Sequence, residues 1–237
     1  MGLSQQIGSS SLSKPGVCTS STRPATPYEG QMIFETDTDR MYIWNGSAWI
    51  IPNSPAQNPT GLELITTCTV TSAGGTAATA SGGVVTIGTS NTSVTLSSAF
   101  STTYDNYKII VSNSVTSAAA SITMVLGSTV TGYYWGLQGT SFDGTGNASG
   151  NSAANTSSWR VGGATTTSYN MTTEVLSPNL AGNSAVFSNY MIPIASTGGA
   201  IGIIGGFLNN STQYTAFTLS GGTMTGGTIR VYGYRNS

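Results

Sequence analysis

Thr228-Ile229-Arg230-Val231-Tyr232-Gly233-Tyr234 decides the fold class. Ile229 and Val231 fall on one side of an extended chain, and Arg230, Tyr232 and Tyr234 fall on the other. That period of two is the pattern of a strand with one buried face. Gly226-Gly227, just ahead of it, is turn chemistry. Short runs rich in Val, Ile, Thr and Tyr recur upstream at residues 64–70, 83–87, 93–96, 107–112, 121–126, 132–137, 157–161, 169–176, 185–192, 200–208 and 214–219. Gly-Gly, Asp-Gly and Asn-Asn pairs separate them. No window of helix length carries a 3.6-residue period. The pattern predicts an all-β protein whose main body, residues 62–237, is a β-sandwich domain of jelly-roll-like type. An elongated, interleaved β-fold built by several chains is the second reading.

Residues 1–22 are rich in Ser and Gly with scattered apolar positions, and read as an extended N-terminal anchor. Residues 23–51 read as a small β-meander. Asp37-Thr38-Asp39 turns the chain between residues 31–36 and 40–44, and Asn45-Gly46 is a strong hairpin signal before Trp49. Phe34, Tyr42, Trp44 and Trp49 crowd this short stretch. A module so small hardly builds a core alone, which makes these four aromatics candidates for docking against another copy or another protein; a self-contained miniature core is the alternative. Residues 52–61, with Pro52, Pro55 and Pro59, read as a Pro-rich, semi-rigid linker.

Only 6% of the 237 residues are charged and the net charge is −1, against roughly 25% charged in ordinary soluble proteins. Such a surface repels its own copies weakly, which suits a subunit of a fixed assembly. Seven Lys and Arg spread along the chain form no basic stripe, so no nucleic-acid partner is expected. The absence of His removes imidazole bases and most metal sites. Cys18 and Cys68 fit no metal or redox spacing and read as two unpaired thiols of a reducing cytosol. The Gly-interrupted apolar stretch 192–208 reads as strand–turn–strand, so no membrane insertion is expected, and no secretory signal is recognised.

The segment Arg23-Pro-Ala-Thr-Pro-Tyr-Glu-Gly-Gln-Met-Ile-Phe-Glu-Thr-Asp-Thr-Asp-Arg-Met-Tyr-Ile-Trp-Asn-Gly-Ser-Ala-Trp49 closely resembles one that recurs in tail-fibre and other minor virion proteins of bacteriophages. More loosely, Tyr104-Asp105-Asn106-Tyr107-Lys108-Ile109, Gly206-Phe207-Leu208-Asn209-Asn210 and the final strand resemble the C-terminal parts of such proteins. The resemblance implies a virion structural protein assembled in the bacterial cytoplasm. Other virion proteins would be its partners, and a homotrimer its state in a fibre. Host attachment through surface polysaccharide is the role expected of a tail fibre, and head decoration or head-fibre service is the alternative.

No enzyme is expected, and no cofactor. Glycan cleavage needs two opposed carboxyl groups, and past its first strand the body offers only Asp105, Asp143 and Glu174. Asp37 and Asp39 read as turn formers rather than as a cation site. For glycan binding the candidates are Tyr133, Tyr134, Trp135, Asp143, Trp159 and Arg160, which flank a Gly/Asn/Ser-rich stretch read as a loop over residues 139–158. The alternative for the same aromatics is that they fill the core.

Overall fold

Two compact units emerge from the contacts of the chain, one within Met1–Pro59 and one within Thr60–Ser237. The computed structural model describes residues 15–52, 61–142, 149–192 and 199–235. All regular structure among them is β.

The smaller unit is a four-stranded sheet in the order β1-β2-β3-β4. Its strands are β1 (Gly16–Cys18), β2 (Met32–Glu35), β3 (Arg40–Trp44) and β4 (Trp49–Ile50). Strands β2, β3 and β4 form the antiparallel meander read from the sequence. Asp39 closes the first turn at φ 52°, a left-handed conformation that Asp tolerates. Asn45 Oδ1 accepts from the Ser47 and Ala48 amides and closes the second. Strand β1 is an addition to that reading, because it falls inside the stretch expected to be a bare anchor. It pairs parallel with β2, Gly16 opposite Ile33 and Cys18 opposite Glu35. Three residues joined by backbone hydrogen bonds leave no hydrophobic period to read.

The larger unit holds fifteen strands. They are β5 (Leu62–Leu64), β6 (Thr69–Ala73), β7 (Thr79–Ser81), β8 (Val84–Thr86), β9 (Asn91–Ser97), β10 (Tyr104–Thr116), β11 (Ala120–Leu126) and β12 (Tyr133–Ser141). They continue with β13 (Ser149–Thr156), β14 (Trp159–Ala164), β15 (Tyr169–Leu176), β16 (Ser184–Ile192), β17 (Ala200–Leu208), β18 (Phe217–Thr225) and β19 (Thr228–Arg235). One sheet runs β8-β19-β10-β15-β16-β17-β12-β13, with β5 beside β8 on β19 and β7 outside β8. The other runs β6-β9-β18-β11-β14.

Eight of these strands, β8, β9, β10, β11, β14, β15, β18 and β19, carry the plan. Ranked in chain order they lie first-eighth-third-sixth in one sheet and second-seventh-fourth-fifth in the other. That is the connectivity of a jelly roll. The hairpins β12–β13 and β16–β17 are inserted into it and widen the first sheet through the β12–β17 ladder.

The core lies between the sheets. Trp159 and Tyr133, both 0% exposed, meet edge to face at 5.1 Å. The Tyr133 hydroxyl accepts from the Leu126 amide and donates to Thr129 O, so its buried oxygen is satisfied. Tyr190 on β16 lies across Gly202 of β17 and reaches Gly163 of β14 in the facing sheet; a Cβ on Gly202 would stand 2.3 Å from its ring. The glycine in this apolar strand is therefore a seat for an aromatic ring, not a turn.

Two sequence readings change here. The run 64–70 is not one strand, because the chain leaves β19 after β5 and joins β9 at β6. The stretch 139–158 is mostly the β12–β13 hairpin; residues 143–148 lie outside the described ones. β13 is an edge strand with almost wholly polar residues, so it shows no alternation. Trp159→Ala should lower stability by about 3–5 kcal/mol through the cavity it leaves, and Gly202→Ala by about 1–3 kcal/mol through overpacking against Tyr190. Urea unfolding of the full chain measures both.

Candidate functional site

In the smaller unit the ladder sorts side chains onto two faces. Residues paired across strands point the same way. Ile33, Glu35, Arg40, Tyr42, Trp44 and Trp49 therefore share one face, and Val17, Met32, Phe34, Met41, Ile43 and Ile50 share the other.

The first face is closed by its own chain. Arg23 forms an ion pair with the fully buried Glu35 carboxylate, and its guanidinium sits 4.7 Å above the Tyr42 ring. Thr38 Oγ1 donates a further bond to Glu35. Trp44 and Trp49 meet edge to face at 5.5 Å. Asp37 accepts from the amide and hydroxyl of Ser20 and pins the chain that follows β1. The Arg23 hydrogen bond holds the Glu35 carboxyl below the usual carboxylate range, and the Ser20 hydroxyl does the same for Asp37.

Among the described residues of this unit, none covers the second face in that way. Val17 is 70% exposed, Met41 is exposed, and Met32, Phe34, Ile43 and Ile50 are half-buried. The four aromatics expected to dock as a set are thus divided. Tyr42, Trp44 and Trp49 belong to the closed face, and only Phe34 lies on the open one. Aliphatic and Met positions, ordinary as strand residues, make up the rest of the surface, and the signal for them was the register rather than the residue type.

The glycan candidates are not brought together either. Tyr133 and Trp159 are core residues and cannot meet a sugar, because each faces the opposing sheet. Trp135 is half-buried against that core. Tyr134 points outward on the first sheet and stacks on Phe207 at 4.7 Å with parallel rings. Arg160 lies between the inward Trp159 and Val161, so it points away from the core on the second sheet, its Nε 3.5 Å from Gly162 O. Asp143 lies outside the described residues.

Several ionisable groups of the larger unit are engaged. Glu174 Oε1 accepts from the Tyr234 hydroxyl at 2.6 Å and lies 3.8 Å from Lys108 Nζ. Burial, aided by that carboxylate, pushes the Tyr234 hydroxyl up to about 12. Glu63 pairs with Arg235 at 2.6 Å. Cys18 and Cys68 are unpaired, and burial pushes the Cys68 thiol up to about 11, away from its reactive form. Among the described residues no three Cys, Asp or Glu side chains gather as a metal-holding group.

No protein-family model matches the sequence, and no curated protein is significantly similar to it.

A carboxylate whose folded pKa is depressed stabilises the fold fully above the ordinary carboxylate range and ceases to do so as pH falls through the folded value. Glu35 and Asp37 both act in that sense. The indole resonances of Trp44 and Trp49 should therefore collapse toward unfolded positions on acidification below about pH 4. Glu35→Gln should bring much of that change to neutral pH, and an NMR titration of the full chain reads both effects.

Proposed function

We infer that the chain is a structural protein of a bacteriophage particle, of fibre type, held to other virion proteins by its smaller unit and displaying the jelly roll. The open face of Val17, Met32, Phe34, Met41, Ile43 and Ile50 carries this reading. It is an apolar surface on a sheet too small to have a second layer of its own, and its opposite face is already locked by Arg23 and Glu35. Exposed apolar faces of this kind mark protein contacts. Residues 23–49, which supply Met32, Phe34, Met41 and Ile43 to it, are also the stretch that resembles bacteriophage virion proteins. The role is structural rather than enzymatic, and several copies, three in a fibre, act together. The carboxylates Glu35, Glu63 and Glu174 are engaged in bonds that hold strands together, which fits a scaffold.

A head decoration protein is the second reading. The burial of Tyr133 and Trp159 favours it, because it removes two of the aromatics on which host-polysaccharide recognition would have relied.

Phe34→Asp places a charge on the open face without touching the Arg23–Glu35 pair. The variant should fold with an unchanged melting profile and be lost from particles, as read by mass spectrometry of purified virions. Normal incorporation would remove the docking role from this face. Gold-labelled chain seen on tails or on heads by electron microscopy separates the two readings.

A further inference from the structure

The outward side of the inserted hairpins is the second apolar surface of the molecule. On β16 and β17 the outward positions are Phe187, Asn189, Met191, Ile201, Ile203 and Phe207. Phe187 is 54% exposed and Ile203 is 60% exposed. Strand β12 extends the surface with Tyr134 opposite Phe207, Gly136 opposite Gly205 and Gln138 opposite Ile203. The surface carries relief as well. Nothing stands within 4 Å of where a Gly136 side chain would be, and the Phe187 ring edges over Gly205, so glycines floor a hollow beside raised apolar side chains. A shallow groove of about 250 Å³ lies alongside, between Gln138, Thr140, Ile201 and Ile203.

We propose that this face is where a further copy of the same chain docks. It rests on the proposed function, in which several copies act together. Its extent fits. Five half-exposed side chains of this size offer roughly 500 Å² of apolar surface, close to the apolar share, about 65%, of the roughly 800 Å² per partner that a stable association of identical chains covers. Its chemistry fits as well. No charged residue lies among the outward positions of β12, β16 and β17, so two copies meet without repulsion. Among the described residues, Lys108 and Glu174 flank this face and pair with each other. The polar members, Gln138 and Asn189, are amides that both donate and accept, and can therefore bond to their own counterparts. Ridge and hollow on one face supply both halves of a fit. A sugar ligand would want carboxylates as well as amides around a flat ring, whereas no carboxylate lies among these outward positions and Met191, Ile201 and Ile203 offer a hydroxyl no partner.

Light scattering and sedimentation of the full chain at micromolar concentration should give a mass of two or three chains. Ile203→Asp with Phe187→Asp should reduce it to one chain while far-ultraviolet circular dichroism stays unchanged. Asn189→Cys in a Cys18→Ser background, which leaves the apolar residues intact, should cross-link chains on mild oxidation. A monomeric wild-type chain together with an Asn189→Cys variant that fails to cross-link overturns the proposal and the multi-copy premise together. A wild-type multimer that the double Asp variant leaves intact and that the Cys variant fails to cross-link overturns this face alone and leaves the premise standing. A wild-type monomer that retains host polysaccharide, and loses it in the double variant, assigns the face to sugar instead.

Discussion

The larger unit depends on one strand changing partners part-way along its length. From Tyr104 to Ser112, β10 is hydrogen-bonded between β15 and β19 in the first sheet. At Val115 and Thr116 it pairs with β18 in the second. The switch happens at a bulge where Asn113 takes φ 56°, a left-handed conformation open to Asn at little cost. Gly227 fits against this bulge, and a Cβ there would stand 2.6 Å from Ser112 O and Ser114 N. Without that bend the two sheets would have no shared strand, and the jelly-roll order could not close around one core.

Hydroxyls take the place that charges hold in most proteins. Thr95 and Thr218 face each other across β9 and β18 at 2.8 Å. In the interior Thr173 bonds to Ser188, which donates onward to Val161 O in the facing sheet. Asn91, fully buried, donates to Gly74 O and Thr76 O and accepts from the Gly88 amide, tying the β6–β7 and β8–β9 turns together. These neutral groups are satisfied locally, so their burial costs little and they create no long-range field. The same neutrality leaves both apolar faces free of the repulsion that would otherwise keep chains apart.

Much of this architecture was legible in the sequence, and the remainder was hidden for identifiable reasons. Alternation in runs such as 228–234 fixed the β class and the inward residues, because a strand with one buried face cannot avoid that pattern. Asn45-Gly46 and the Asp37–Asp39 turn placed the meander. Pattern could not reveal β1 or β13, which are held by backbone bonds at sheet edges. It could not separate Trp159 in the core from Tyr134 on the surface, since each sits among aromatics and glycines of similar appearance. Composition also made the Trp pair look like the docking surface of the small unit. Cross-strand register puts Phe34 and its aliphatic neighbours on the face opposite the Trp pair, and register is a property of pairing that no single strand displays.

The parallel pairing of β1 with β2 has a mechanical consequence. The chain enters the small sheet at the end where β1 begins and leaves it from β4 at the opposite end. Tension applied between the two exits would therefore pull the strands lengthwise past one another, so that all the cross-strand bonds resist at once. A hairpin entered and left at the same end would instead unzip bond by bond. A sheet built this way withstands a tug far better than its modest size suggests.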